Sequence, residues 1–412
     1  MTVDVAVIGT GEYATGFVHG AAARSDKGAG VVALTLLDLR RRGKVGRVAL
    51  CGRDGERLPA LRAHLQAAVA APYGLDASVE TFPADGVVDP RAYEAALDTL
   101  APGGAAVVVV PDDLHLAVAL AAVERGLHVL VAKPLVQRLE EHRRLLAAAR
   151  RRGVLVMVEV HKRFDPIYAD ARERLRGFGD LSLFTSYMSQ PKLQLDTFRA
   201  WAGRASDISY YLNAHHVDLC AWFVEGRARP TRVTAAAAAG VATPLLGRPT
   251  EDAITLTAQW EHLASGAVGV SVHTASWIAP PADVHSQQRF FAMGHRGEVR
   301  VDQAHRGYTV ASDEAGFASA NPLFMRYAPA EGAFAGQHGY GYRCIEAFVD
   351  AAADLNRGAV TPGDLDRRLP TAGTTLPTTA VLEAGRRSLD QGGRPIQVVY
   401  APDAPWTPVD LA

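Results

Sequence analysis

Residues 3–8 read as a short apolar strand, broken only by Asp4, that runs straight into Gly9-Thr10-Gly11-Glu12-Tyr13-Ala14. This junction restricts the fold more than any other stretch. A glycine at the first position permits a tight turn out of the strand. A glycine two residues on lets the backbone approach a pyrophosphate, and a small residue at Ala14 lets helix and strand pack closely. The segment that follows can be helical through Phe17 and Ala21 to Ala23, and a helix start offers free N–H groups to phosphate. Such a loop predicts β-α alternation downstream, with Gly9, Thr10, Gly11, Glu12 and Tyr13 around a dinucleotide.

The second strand sets the ribose end of such a site, and two readings stand. Residues 31–37 form one candidate, ending at Asp38. Residues 47–51 form the other, which continues through Gly52-Arg53-Asp54 into a helix carrying Leu58, Leu61 and Leu65. In that case 31–42 is an inserted helix or loop, and Gly52 and Arg53 occupy the ribose position. An acid there takes the ribose 2′-OH, whereas a small residue with an arginine accepts a 2′-phosphate. The second reading therefore favours NADP(H) within an NAD(P) site, with Asp54 and Asp38 left as alternative acids for NAD.

Strand candidates at 79–82, 105–110, 128–131 and 154–160 alternate with helical patterns at 90–100, 116–125 and 139–152. The second half changes to half-buried strand patterns at 180–189, 232–239, 253–260, 267–274, 289–293, 298–302 and 308–311. Helices are expected at 208–223, 340–356 and 378–389, with a proline-rich tail from about 401. The expected fold class is α/β. An N-terminal Rossmann domain, a doubly wound parallel sheet, spans 1–160, and a C-terminal α+β domain with a large, mainly antiparallel sheet spans 161–412.

The strand at 128–131 delivers Lys133 to the carboxyl edge of the sheet, where open α/β folds bind ligands, and Pro134 stops further pairing. Lys133 then stands at the junction of a nucleotide half and a substrate half. On a helix from Ile208, Tyr211 and His215 share a face one turn apart, His216 projects elsewhere, and Asp207 and Asp218 are near enough to orient an imidazole. Lys162 and Arg163 follow the last strand of the first half and are expected at its rim, with Asp165 as another partner for Arg163. Asn213, Gln190 and Lys192 are further polar candidates for binding a ligand.

The length of 412 residues points to two domains. A net charge of −1 leaves no electrostatic footprint for nucleic acid or acidic membrane. Cys51, Cys220 and Cys344 are dispersed, which suggests reduced thiols in a cytoplasmic protein, without a disulfide framework or zinc spacing. No apolar run approaches bilayer length, and the histidines lack a carboxylate or thiolate set at metal-ligand spacing.

In this order the motifs resemble the glucose-fructose oxidoreductase / inositol dehydrogenase / rhizopine catabolism (Gfo/Idh/MocA) family. The resemblance rests on Gly9-Thr10-Gly11, Pro111-Asp112-Asp113-Leu114-His115, the run from Gly126 to Lys133-Pro134, Arg163-Phe164-Asp165-Pro166, His215-His216-Val217-Asp218-Leu219 and Gly393-Arg394-Pro395-Ile396. It is most similar to the StrI-like branch. The resemblance implies an NAD(P)-dependent oxidoreductase acting on a hydroxyl or keto carbon of a sugar, cyclitol or related polyol. Pro111, Asp112, His115 and Lys133 join the cofactor contacts already named. Lys133, His215 and Tyr211 carry catalysis, Lys162, Arg163, His216 and Asn213 bind substrate, and a homodimer or homotetramer is expected. Two departures stand out: Ala132 replaces the acid of the family's Glu-Lys-Pro, and Tyr211 replaces an aspartate four residues before the histidine. The same scaffold also supports NAD-dependent glycoside cleavage through a keto intermediate, and non-catalytic dinucleotide sensing.

Overall fold

Six strands lie side by side in the order Glu80–Phe82, Val45–Cys51, Val3–Ile8, Ala105–Val108, His128–Ala132 and Val156–Glu159, and every neighbouring pair is parallel. The computed structural model describes residues 2–23, 25, 27–313 and 316–412. Ala105–Val108 and Val156–Glu159 are buried throughout, as a parallel sheet covered on both faces requires. Strand order reverses between Val3–Ile8 and Ala105–Val108, so the glycine loop and the end of Ala105–Val108 flank the switch point where doubly wound sheets bind ligands, and His128–Ala132 is the next strand out.

The second strand is Val45–Cys51, and 31–37 is no strand. The helix Val32–Arg41 runs there instead, buried from Val32 to Leu39. The expected helix through Ala23 is also corrected. It stops after one turn, Glu12–Thr15, at Gly16 with φ 73°, and residues 17–22 turn back as a small hairpin. A Cβ on Gly16 would lie 2.3 Å from Gly28 O, and one on Gly30 would lie 2.6 Å from Thr15 C. Only glycines allow these segments to touch. The chain returns when Val31 N donates to Tyr13 O at 2.9 Å, immediately before the long helix.

Packing divides the chain into two units. The first comprises Met1–Leu135, Arg144–Phe164 and Pro322–Thr374, and the second Val136–Arg143, Asp165–Asn321 and Thr375–Ala412. This departs from a single boundary near 160, because the helix Tyr340–Asn356 returns to the first unit. Its Tyr342, Ile345 and Phe348 share a core with Val5, Leu34 and Leu37. Tyr342 Oη also donates to the buried Asp38 at 2.6 Å. An amphipathic pattern identifies an apolar face but not the sheet that the face covers.

The second unit holds an eight-stranded sheet in the order Gly297–Asp302, Gln287–Gly294, Leu181–Pro191, Val268–Ala279, Ala253–His262, Ala228–Ala238, Ile396–Ala401 and Ala404–Leu411. It is antiparallel except where Val268–Ala279 runs parallel to Leu181–Pro191. The expected tail from 401 is a paired edge strand, and Thr309–Ser312 pairs with Gly316–Ser319 in a separate two-stranded sheet.

Asp165, fully buried, caps the helix Pro166–Gly177 through Ile167 N at 2.9 Å and forms an ion pair with Arg306, whose side chain is 7% exposed. Removing one member of such a pair strands the other charge. Arg306→Met should therefore destabilise the protein by about 3–5 kcal/mol, and chemical denaturation reads this as a lower midpoint.

Candidate active site

Gly9 and Gly11 are required for different reasons. Gly9 has φ 113°, and a Cβ there would sit 2.3 Å from Val109 O, so the fold itself demands glycine. Gly11 has φ −76°, and a Cβ would meet nothing within 4 Å. The open space beside Gly11 fits a group that must approach the backbone, as a dinucleotide pyrophosphate does. Thr10, Gly11, Phe17, His19, Arg57 and Leu58 border an adjoining cavity of about 170 Å³. The inserted hairpin supplies part of its wall.

After the strand Val45–Cys51, Thr10 Oγ1 would lie 3.1 Å from a Cβ on Gly52, and Arg53 is exposed. Both alternative acids are otherwise engaged. Asp38 accepts from Arg41 and Tyr342 with its side chain fully buried. Asp54 accepts from Glu56 N and pairs with Arg57 at 3.0 Å.

Lys133 follows the strand His128–Ala132 and keeps some surface. The surrounding protein strips enough water to lower its pKa from 10.5 to about 8, with Asp112 and Glu159 opposing the shift. Glu159 was not picked out from the sequence, although a lone acid in Val-Met-Val-Glu-Val was a readable signal. It is 3% exposed and stands in register with Ala132 on the adjacent strand. Tyr13 Oη donates to its Oε1 at 2.8 Å, and His161 Nδ1 lies 2.9 Å away. Asp112 and His115 follow the neighbouring strand, after the exposed Pro111. His115 is fully buried with its ring nitrogens 2.8 Å from Pro134 O and 2.9 Å from Val110 O. It ties the turn after Lys133 to the adjacent strand end, which corrects its expected role as a cofactor contact. Glu12 is half-buried in the one-turn helix. Lys162 and Arg163 lie in the turn His161–Phe164 and are buried, contrary to an open-rim position.

In the second unit, Ser209–Asn213 winds as a π-helical turn before the helix Ala214–Phe223, so Tyr211 and His215 are not spaced by a plain α turn. His215 and His216 are 6% and 1% exposed. Tyr211 is half-buried against Phe198 and Trp201, with ring centroids at 4.9 and 5.1 Å, and accepts from Gln190 Nε2 at 3.4 Å. Asn213 uses its amide on Ser209 Oγ and Ile254 O, both at 3.1 Å. This makes it a brace rather than a substrate ligand. Asp207 caps the turn through Tyr210 N at 2.9 Å and pairs with Arg386. It therefore does not orient an imidazole, and burial pushes its pKa up to about 6.

Residues 3–160 match the oxidoreductase family, NAD-binding Rossmann fold, of the Gfo/Idh/MocA group. That match covers the part of the chain that holds the six-stranded parallel sheet. Among curated relatives, scyllo-inositol 2-dehydrogenase (NAD(+)) of Bacillus subtilis is 37% identical over 71 residues, 17% of this chain and 21% of that protein. The oxidoreductase YdgJ of Escherichia coli is 32% identical over 115 residues, 27% of this chain and 33% of that protein. The matched stretches thus span about a third or less of these relatives. Solved structures match along nearly the whole chain. GenD2 from gentamicin A biosynthesis in complex with NAD gives a TM-score of 0.66 at 19% identity, covering 97% of both chains. Scyllo-inositol dehydrogenase from Lactobacillus casei, with NAD(H) and scyllo-inositol, gives 0.64 at 15% identity, covering 96% of this chain and 99% of that one. At such identities the likeness shows the shared fold. Among the described residues, no helix is long and apolar enough to cross a membrane.

Proposed function

We infer that this chain belongs to the Gfo/Idh/MocA family and is an NAD(P)-dependent oxidoreductase that moves hydride between a nicotinamide and a hydroxyl or keto carbon of a sugar, cyclitol or related polyol. The observation that carries this reading is Lys133. It follows the fifth strand of the six-stranded parallel sheet, at the carboxyl end, where burial lowers its proton affinity and the charges of Asp112 and Glu159 oppose that shift. The named activity of the inositol dehydrogenases above supports the same substrate class. By its motifs we place the chain in the StrI-like branch, as a cytoplasmic homodimer or homotetramer.

Gly9, Thr10, Gly11 and Tyr13 would hold the dinucleotide, with Gly52 and Arg53 at its ribose end. Bound nicotinamide supplies the hydride acceptor for carbinol oxidation. Lys133 then donates an N–H to the substrate oxygen and stabilises the charge that grows on it. His215 takes the hydroxyl proton, Tyr211 binds a neighbouring hydroxyl, and His216, Lys162 and Arg163 complete substrate recognition. Reduction of the ketone runs the same transfers backwards.

The cofactor reading is NADP(H), supported by the engagement of Asp38 and Asp54 elsewhere and by the exposed Arg53. NADPH should bind more tightly than NADH, by about tenfold or more for a phosphate–arginine contact, and Arg53→Ala should erase the difference. Equal affinities in the parent, by fluorescence titration, would remove the preference. A panel of polyols, cyclitols and glycosides, followed by reduced-nicotinamide absorbance and by aglycone release, tests the reaction class. Absorbance change with polyols supports a dehydrogenase, and aglycone release without net cofactor change supports the hydrolase instead.

A further inference from the structure

A carboxylate inside a buried strand is costly unless charge and hydrogen bonds compensate it. Glu159 has such compensation from two sides. Tyr13, from the one-turn helix of the glycine loop, donates to Oε1. His161, from the turn after the strand, lies 2.9 and 3.2 Å from the two oxygens. The imidazole is itself held among aromatic rings, 5.6 Å from Tyr340 and 5.2 Å from Phe324. Parallel neighbours are about 4.8 Å apart, and the register sets Glu159 beside Ala132, the residue before Lys133. Alanine leaves that position without a charge of its own.

We propose that Glu159 is a positioning residue that keeps the Lys133 ammonium protonated from the adjacent strand and, through Tyr13, couples it to the glycine loop. Asp112, at the end of the preceding strand, is the other carboxylate acting on Lys133. Tyr13 and His161 contact Glu159, Lys133 feels its charge, and Cys344 and Tyr327 act on Tyr13 in turn. The Tyr13 phenol is held well above its usual range by burial and by Glu159. It therefore remains a donor and does not titrate in competition with the lysine. Only the catalytic consequence of this coupling rests on the oxidoreductase reading; the charge coupling stands apart from it.

The chain has five lysines, Lys27, Lys44, Lys133, Lys162 and Lys192. Reductive ¹³C-methylation of the full-length protein therefore gives five dimethyl-lysine signals, and Lys133→Arg assigns the one in question. In Glu159→Gln, the isosteric neutral variant, its titration midpoint should fall by about one pH unit or more. Adding Ala132→Glu to that variant should bring the midpoint back up. An unchanged midpoint in Glu159→Gln overturns the proposal. Tyr13→Phe keeps the carboxylate but cuts the tether, and should weaken dinucleotide binding by about tenfold, the worth of one hydrogen bond to a charged group. Unchanged binding overturns the coupling to the loop. Neither measurement needs a substrate. A shifted midpoint in a protein that oxidises no polyol removes the oxidoreductase reading and leaves this one, and turnover with an unshifted midpoint does the reverse.

Discussion

Replacing Lys133 with methionine lowers turnover by about 10²-fold or more, the usual loss when a positioned proton-handling or oxyanion group is removed. The same change makes the folded protein more stable at neutral pH. Lys133 has its pKa lowered from 10.5 to about 8 by burial, against which Asp112 and Glu159 work. The unfolded chain therefore binds this proton more readily than the native one. The penalty on the native state begins as pH falls below 10.5 and is fully present below about 8. It amounts to roughly 2–4 kcal/mol. Denaturation of parent and variant at pH 7 and again near pH 10.5 should show the gain of Lys133→Met at the lower pH and little of it at the higher. Loss of activity without that pH-dependent gain would mean that Lys133 is not held against its own charge.

The two loop glycines should separate folding from binding. Gly9→Ala forces a Cβ against Val109 O at a backbone angle of φ 113°. It should cost several kcal/mol, on the order of 3–5, and lower the melting temperature sharply. Gly11→Val adds its side chain to open space in an extended backbone. The melting temperature should stay within about 3 °C of the parent, while dinucleotide affinity falls by about 10²-fold or more, because the side chain fills the approach to the backbone. Calorimetry and cofactor titration on the same two proteins read both effects. A Gly11→Val protein that binds normally would remove the loop from the cofactor site.

Gly9-Thr10-Gly11 and the strand leading to Lys133 were legible because their chemistry is local: a turn, a close approach, a strand end. The doubly wound parallel sheet followed from strand–helix alternation for the same reason. The first helix misled because Phe17, Ala21 and Ala22 have helical spacing. The deciding contacts are Gly16 with Gly28 and Gly30 with Thr15, which spacing within a single helix cannot register. Asp38 looked available to a ribose until the helix Tyr340–Asn356 brought Tyr342 onto it. Asn213 looked free for a substrate until Ile254 O took its amide. Glu159 was visible in its strand, but its meaning lay in the register that sets it beside Ala132. Residues whose partners lie far along the chain were assigned roles by type, and packing reassigned them.

Deuterium placed on the carbinol carbon of a polyol turned over by the parent tests the central claim most directly. Transfer of that label to the nicotinamide ring, slowed by about 10²-fold or more in Lys133→Met at equal cofactor occupancy, is the predicted result. Label that stays in the sugar while an aglycone is released, or transfer that survives unchanged in Lys133→Met, would contradict it.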